Sequence, residues 1–157
     1  MKANELQAGD LVLHRGKVRR VVYIYCRPLP DGTLPANEIG FSADTDEWVN
    51  ADEAEPIPLS EQFFADNGWT CTENICYTRY TLQIPVEKRS VRAHSIRTIT
   101  ATFIQKLNGS KQLLMSIRGV KNRAFTGELD YVHELQQELR RCQHPQVAAA
   151  LHVDERS

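Results

Sequence analysis

Three runs of alternating apolar residues, all between Cys76 and Arg118, constrain the fold of this chain more than any other feature. The runs are Tyr80, Leu82, Ile84 and Val86; Ile99, Ala101 and Phe103; and Leu113, Met115 and Ile117. Alternation with a period of two is typical of strands that bury one face, and the Asn108-Gly109-Ser110 sequence between the last two runs is a strong hairpin turn. We therefore predict a meander of three antiparallel strands. Its opposite face is expected to carry Arg79, Arg97, Lys106, Lys111 and Arg118.

A helix is predicted after this sheet, from about residue 127 to residue 142. Thr126 is the expected N-cap, and Glu128 and Asp130 would favour the positive end of the helix dipole. Apolar residues recur at spacings of three and four, which indicates one stripe that packs on the sheet. The stripe consists of Leu129, Val132, Leu135, Leu139 and Cys142.

The N-terminal segment is predicted to form a small β-barrel of the Src-homology type. Gly9-Asp10 is a turn signal, and apolar residues then alternate around an Arg15-Gly16-Lys17 turn, as in a hairpin. Short strands are expected at residues 38–42 and 47–50. Two prolines, the second of them Pro58, close the segment.

A short helix follows, for which Ser60 suits the N-cap and Gly68 suits the left-handed position just past the C-terminus. Trp69 would then fold back onto Phe64. The predicted fold class is α+β, with the barrel followed by this helix, the three-stranded antiparallel sheet and the packing C-terminal helix. The expected domains are a β-barrel subdomain (1–58), an α+β subdomain (59–143) and a C-terminal tail (144–157), which forms a second short helix or frays.

Charge is sorted into blocks along the chain. From Pro28 to Cys76 there are eleven Asp and Glu residues and no Lys or Arg, whereas from Tyr77 to Gly127 there are ten Lys and Arg and a single acid, Glu87. The formal net charge of −1 therefore hides two strong, opposite fields. Such fields bear on partners rather than on the fold.

The cationic sheet is the strongest candidate for a binding site, because such a patch attracts phosphates without reading sequence. The candidate nucleic-acid-binding residues are Lys88, Arg89, Arg92, Arg97, Arg118, Lys121 and Arg123. Aromatic residues for stacking on bases are few. They are Tyr77, Tyr80, Phe103 and Phe125, of which the alternation places Tyr80 and Phe103 inside. The alternative, which we favour, is that acidic residues 38–55 neutralise the basic sheet within one molecule or that both faces are simply solvated.

No motif predicts catalysis, a metal site or a cofactor. The chain has no Gly-rich phosphate loop, nucleophile elbow or paired metal ligands on one helix. His133 lies beside Glu134 and near Tyr131, but acid or base catalysis also needs a partner in reach and a substrate pocket, so we interpret it as structural. The acidic run at residues 44–55 lacks the glycine and the closing glutamate of a Ca²⁺ loop.

The location predicted for the chain is the cytosol. Its longest apolar runs are too short to span a membrane, and the N-terminus lacks the apolar core of a signal peptide. The four cysteines are then expected to be reduced thiols, buried or partly buried. They are Cys26, Cys71, Cys76 and Cys142.

Three stretches resemble a group of small uncharacterised proteins of Bacteroides-type bacteria, their phages and mobile elements. They are the start at Met1-Lys-Ala-Asn-Glu-Leu, the segment Glu55-Pro-Ile-Pro-Leu-Ser-Glu with Asn67-Gly68-Trp69, and Leu129-Asp-Tyr-Val-His-Glu-Leu-Gln. The resemblance spans about residues 1–142 and implies a bacterial or phage source and an accessory role. It transfers no activity and no functional residue.

The function that we expect is that of a non-catalytic binding module of a bacterial mobile element or phage. Its partner would be a host protein or a second copy of itself, with no membrane involved. The alternative is sequence-nonspecific nucleic-acid binding through the cationic sheet at residues 77–123, and an enzyme is the remote alternative. The sequence leaves the oligomeric state open.

Overall fold

A computed structural model describes residues 1–27, 30–31, 36–42, 48–90, 93–117 and 120–154. For residues 26–27, 36, 86–90, 93–97, 117 and 120–127 it describes the backbone alone. This part of the chain has the mixed α+β fold that was predicted, with eleven strands in three antiparallel sheets and three α-helices.

The strands are β1 (Leu11–His14), β2 (Lys17–Arg20), β3 (Tyr23–Arg27), β4 (Ala36–Gly40), β5 (Trp48–Asn50), β6 (Ala54–Glu55), β7 (Thr70–Asn74), β8 (Tyr77–Ser90), β9 (Ala93–Lys106), β10 (Lys111–Ile117) and β11 (Val120–Gly127). The helices are α1 (Glu61–Asp66), α2 (Val132–Arg141) and α3 (Pro145–Ala150), with 3₁₀ turns at Ala3–Glu5 and Ala51–Glu53. None of these helices has the length and hydrophobicity that a membrane span requires.

The N-terminal strands form two three-stranded sheets, with the orders β2-β1-β6 and β3-β4-β5. The predicted hairpin turn is confirmed, because Arg15 and Gly16 both have positive φ angles, 51° and 74°, as a two-residue primed turn requires. Backbone hydrogen bonds continue both ladders between the sheets, from Val21 N to Asp10 O and from Val22 N to Gly40 O, each 2.8 Å long. The two residues that connect β2 to β3 are thus hydrogen-bonded to both sheets.

Helix α1 has the ends that the sequence predicted. The Ser60 hydroxyl accepts a hydrogen bond from the backbone N–H of Phe63 at 3.1 Å, which satisfies one of the donors that a helix start leaves unpaired. Gly68 adopts a φ of 74° just past the C-terminus. The ring of Trp69 then meets that of Phe64 edge-on, with centroids 5.4 Å apart.

The prediction of three strands for the second sheet is wrong, since this sheet has five, in the order β11-β10-β9-β8-β7. The register places Tyr80 opposite Phe103 and Phe103 opposite Leu113, so the three predicted apolar runs do share one face. Strands β7 and β11 were missed because they are edge strands. Backbone pairing to a single neighbour holds β7, whose residues are all exposed, and such a strand needs no apolar alternation.

Strands β8 and β9 extend well beyond their neighbours. They pair from Tyr77 opposite Lys106 to Ser90 opposite Ala93, whereas the pairing of β10 with β9 ends at Ile117 opposite Ile99. Residues 85–90 and 93–98 therefore form a two-stranded ribbon past the end of the sheet. Six residue pairs at about 3.4 Å per residue make this β-ribbon about 20 Å long.

Helix α2 begins at Val132, five residues after the predicted start. Residues up to Gly127 belong to the β11 ladder, and the next ones pair with the segment before α1, through Leu59 N to Asp130 O and Val132 N to Ile57 O, both 2.8 Å. Long-range backbone pairing thus overrides the local signal of Thr126. The predicted stripe is confirmed for Val132, Leu135 and Leu139, which are buried, and for Cys142, which is partly buried at the C-cap. Leu129 is buried as well, but it lies before the helix.

Two hydrophobic cores share strand β1. Leu11 packs in the larger core, between the five-stranded sheet and helices α1, α2 and α3, while Val12 packs in the smaller core of the N-terminal sheets. Helix α3 forms within the segment expected to be a tail, and Leu151 just after it is buried in the larger core. The division into domains at residues 58 and 143 stays a prediction.

Candidate functional site

The backbone places five of the seven predicted cationic residues at one end of the five-stranded sheet. Lys88, Arg89 and Arg97 lie on the β-ribbon, with Arg89 opposite His94 and Arg97 opposite Val86. In β11, Lys121 lies opposite Ser116 and Arg123 opposite Leu114, close to the turn of the β10–β11 hairpin. Arg92 and Arg118 fall outside the described residues, and no side chain of the other five is described.

The topology explains why these residues share one end. Strands β8 and β9 are antiparallel, as are β10 and β11, and Ile99 pairs both with Ile84 and with Ile117. The last described pairs of the two hairpins, Ser90 with Ala93 and Ile117 with Val120, consequently lie on the same side of the sheet. We call residues 85–98 and 114–123 the cationic end. Its sequence holds seven Lys and Arg residues against the single acid Glu87.

One acid of residues 38–55, Glu53, forms an ion pair, but its partner does not lie at the cationic end. Glu53 lies 3.8 Å from the guanidinium of Arg15 and 3.7 Å from His14, both on the β1–β2 hairpin. Lys111, expected on the solvent face of the sheet, instead shares the core-facing row of Leu113 and pairs with Asp130. Neutralisation of the cationic end by residues 38–55 remains a prediction.

The aromatic residues considered for base stacking do not gather at the cationic end. Tyr80 and Phe103 are buried, as predicted. Tyr77 lies at the other end of β8, where the Arg79 guanidinium lies 5.0 Å from its ring centroid and donates a hydrogen bond to its hydroxyl. The side chain of Phe125 is outside the described set.

Sequence reasoning missed an exposed cluster of three aromatic rings on the sheet β3-β4-β5. Tyr23, Tyr25 and Trp48, here called the aromatic patch, are 47%, 45% and 43% exposed. The ring of Trp48 lies 6.2 Å from that of Tyr23 and 5.7 Å from that of Tyr25, tilted by 43° and 53°. Large aromatic side chains on a solvent-facing sheet surface are uncommon in monomeric proteins unless they bind something.

The strands position this patch through their register. Tyr23, Gly40 and Trp48 form one cross-strand row, and the Trp48 ring lies over Gly40, 3.6 Å from where a Cβ would be. The alternate residues Ile39 and Val49 are buried in the smaller core. The sequence did contain a signal for this patch. A strand that is apolar at consecutive positions is apolar on both faces, so the face that points away from the core has no obvious partner.

The ladder face that carries the aromatic patch includes one acid, Glu38, and the position of one base, Arg27 opposite Ala36. Glu38 lies opposite both Tyr25 and Asn50 in the ladder, so its side chain shares the face of the patch. The sequence around Trp48 contains no Lys or Arg from residue 28 to residue 76.

His133 is buried, with 5% of its surface exposed, and its ring stacks on that of Tyr131 with centroids 5.8 Å apart. Burial lowers the pKa of this imidazole, against the opposing pull of Asp10, Glu134 and Glu5. A cleft of about 470 Å³ lies beside it. The Glu134 carboxylate on that cleft already accepts the backbone N–H groups at residues 130 and 131, so it serves as the cap of α2.

Cys71 and Cys76 are exposed, which corrects the expectation of buried or partly buried thiols for these two. The pKa of Cys71 is raised by desolvation and by the nearby carboxylates of Glu61 and Glu73. Its thiol is therefore not activated as a nucleophile. Within the described residues, no group of three or more His, Cys, Asp or Glu side chains is arranged to hold a metal ion.

Comparison with protein-family models, with curated proteins and with solved structures finds no match for this chain.

Proposed function

We propose that this protein is a non-catalytic protein-binding module of a bacterial mobile element or phage, and that it binds its partner through the aromatic patch. The bacterial or phage setting and the cytoplasmic location rest on the sequence. The observation that carries the binding function is the cluster of Tyr23, Tyr25 and Trp48, each more than two fifths exposed on one sheet face. Tyr and Trp are the side chains that most often supply binding energy at protein interfaces.

The rigid support of the patch favours this function. Its three rings project from paired strands whose opposite face, with Ile39 and Val49, is fixed in the smaller core. Side chains held in this way lose little conformational freedom when a partner covers them, which lowers the entropic cost of binding.

We further propose that the N-terminal strands form the predicted Src-homology-like barrel. Residues 21–22 connect β2 to β3 and are hydrogen-bonded to Asp10 and Gly40, so along the chain the two sheets give the order β6-β1-β2/β3-β4-β5. A 3₁₀ turn at Ala51–Glu53 separates β5 from β6 along the chain. This order places β5, which carries Trp48, at the opposite end of the row from β6.

Photo-cross-linking in an extract of the bacterial host tests the proposed function. A photoreactive phenylalanine derivative replaces Tyr25 in one variant and Leu107, an exposed residue at a distant hairpin turn, in a control variant. We expect a discrete cross-linked protein from position 25 that Trp48→Ala removes, and none from position 107. Equal cross-linking at both positions, or a product that Trp48→Ala leaves unchanged, would refute the proposal.

Nucleic-acid binding through the cationic end is the second candidate. The specific observation in its favour is the register, which brings the five described candidate residues to one end of the sheet, partly on a β-ribbon that extends beyond it. A two-stranded ribbon is one of the shapes that fit the major groove of DNA, and clustered cations bind phosphates of either nucleic acid.

A salt titration tests this candidate. If Arg92 and Arg97 each contact one phosphate, their replacement by Ala should reduce the slope of log affinity against log salt on duplex DNA by about 2. Lys106→Ala, at the other end of the sheet, is the matched control and should leave the slope unchanged. A mobility-shift assay at low salt with no binding of single-stranded or duplex nucleic acid at micromolar protein would exclude the candidate.

A further inference from the structure

We propose that the cleft beside His133, here called the α2 cleft, binds a primary ammonium group carried on an aliphatic chain. The cleft has a volume of about 470 Å³, and the residues that line it include Met1, Glu5, Pro56, His133 and Glu134. Clefts of this size hold small ligands. None of these residues belongs to the aromatic patch, so this site is additional to the proposed partner-binding surface.

Two carboxylates on the α2 cleft favour a cation. Among the residues that the structure describes, neither Glu5 nor Glu134 forms an ion pair with a basic side chain or with the N-terminal amine. Both lie close enough to His133 to act on its imidazole, as does Asp10. Arg140 neutralises Asp10 at 2.7 Å, which leaves the charges of Glu5 and Glu134 to attract a cationic ligand.

The imidazole of His133 is a second, independent sign of a ligand. Only 5% of this residue is exposed, and its Nδ1 has no hydrogen-bond partner within the described part of the chain. Buried polar atoms are seldom left unpaired. Because burial lowers the pKa of the ring, it is neutral near pH 7 and keeps one acceptor nitrogen. A ligand with an N–H donor would give this ring a partner.

The hydrogen bonds of the two carboxylates favour an ammonium over a guanidinium. Oε2 of Glu134 accepts the backbone N–H groups of residues 130 and 131, and Oε2 of Glu5 accepts that of Lys2. Each carboxylate thus keeps one oxygen for a ligand. A guanidinium prefers both oxygens of one carboxylate, whereas an ammonium is a compact charge with three donors. Two carboxylate oxygens and one imidazole nitrogen match those three donors.

The apolar lining of the α2 cleft suits the rest of such a ligand. Met1 and Pro56 lie on the same cleft as the carboxylates, so an aliphatic chain attached to the ammonium can pack against them. A metal ion fits less well, because no group of three or more ligating side chains occurs among the described residues. Free alkylamines and the side chain of a lysine on another protein share this chemistry, and the test separates them.

Titration with small amines tests the inference. The probe is pentylamine, and the matched compounds are pentanol, which is neutral, and pentyltrimethylammonium, which has the charge but no N–H donor. Amide NMR spectra and the nitrogen signals of the His133 ring report binding. We expect saturable shifts at Glu5, His133 and Glu134 with pentylamine at about millimolar concentration, weaker shifts with pentyltrimethylammonium and none with pentanol.

Variants locate the contact on the protein. Glu134→Gln should weaken pentylamine binding by about fivefold to thirtyfold, because it removes a charge, while a glutamine at this position can still cap α2. Glu5→Gln should weaken binding by about twofold to fivefold, since Glu5 is exposed. Glu73→Gln, on the exposed strand β7, is the matched control and should change nothing. The amide spectrum of each variant verifies its fold.

A Gly/Ser peptide with a single lysine is titrated in parallel. Tighter binding of this peptide than of pentylamine, with shifts at the same residues, would support the site and identify a protein side chain as the source of the ammonium. Tighter binding of pentylamine would support the site and identify a free amine.

Three results would overturn the ammonium site. They are equal binding of pentanol or of pentyltrimethylammonium, pentylamine binding that both glutamine variants leave unchanged, and no saturable shift with either the amine or the lysine peptide up to tens of millimolar. Cross-linking from position 25 is a separate measurement, so each of these results leaves the test of the proposed function intact.

Discussion

Arg140 of α2 donates a hydrogen bond of 2.7 Å to the carboxylate of Asp10, which is fully buried although it lies in the turn that precedes β1. The backbone N–H of Gln7 and the side-chain amide of Gln137 donate to the same carboxylate, each at 2.7 Å. A buried charge is tolerated only when it is paired and hydrogen-bonded. This cluster therefore ties α2 to the N-terminal turn.

We expect Arg140→Ala to reduce the free energy of unfolding by about 3–5 kcal/mol, because it leaves the Asp10 carboxylate buried without its cation. Arg141→Ala is the matched control in the next residue, since Arg141 is exposed and pairs with Glu138 at the surface, and it should cost far less. Urea denaturation of both variants measures the difference. Equal losses would show that the buried pair contributes no more than a surface pair.

Gly9 packs against the guanidinium that makes this contact. Its φ is 96°, and a Cβ built on it would lie 3.2 Å from Nη2 of Arg140. Gly16 also has a positive φ, of 74°, but meets nothing within 4 Å. We expect Gly9→Ala to destabilise the protein by about 1–3 kcal/mol more than Gly16→Ala, because only the first crowds a neighbour.

The double variant Gly9→Ala with Arg140→Ala provides the control for this prediction. Removing the guanidinium relieves the crowding, so the two losses should sum to more than the loss of the double variant. Strict additivity would assign the whole effect of Gly9→Ala to backbone strain.

Leu135 lies at the centre of the α2 stripe and is fully buried. Its truncation to Ala should leave a cavity and reduce the free energy of unfolding by about 2–5 kcal/mol. Leu107→Ala serves as the control, because Leu107 is 80% exposed and its loss should change stability by about 0.5 kcal/mol or less. Thermal denaturation of both variants compares them, and similar losses would contradict the observed register of α2.

The burial of His133 predicts a pH dependence of stability. Burial lowers the pKa of the folded-state imidazole below its usual 6.5, despite the carboxylates of Asp10, Glu134 and Glu5 nearby. The unfolded chain then binds the proton more tightly, so stability is complete above the usual pKa and falls as pH drops through it. We expect the free energy of unfolding to decrease between about pH 7.5 and about pH 5.5.

His133→Gln should flatten this decrease. Burial also lowers the pKa of His144, so the difference between the variant and the natural protein measures the share of His133. His144→Gln is the matched second variant. If both variants keep the full slope, neither imidazole is held neutral by burial.

Several features of the fold were predictable because their signals lie within a few residues. Each of these signals depends on the residue type at one or two positions. They are the N-cap hydroxyl of Ser60, the positive φ of Gly68 and the Asn108-Gly109 turn. The α2 stripe was visible for the same reason, since its period follows from the helix itself.

Other features arise from pairing between distant segments. Strands β7 and β11 complete a sheet through backbone hydrogen bonds, which no side-chain pattern of an edge strand reveals. Helix α2 starts late because residues 130–132 pair with the segment before α1. The aromatic patch required the register of β3, β4 and β5, which brings Trp48 across Gly40 to Tyr23.

The sequence by itself determined the local elements and the separation of charge into two blocks, since both are properties of neighbouring residues. Only the tertiary structure decided which polar groups are buried and which partners they bond. Asp10 reads as a turn residue, yet it is buried because Arg140, 130 positions away, neutralises it. Gln136 is likewise fully buried, and its amide bonds the backbone of Leu11 and Ala148. The desolvation cost of such groups depends on partners that a linear pattern does not place beside them.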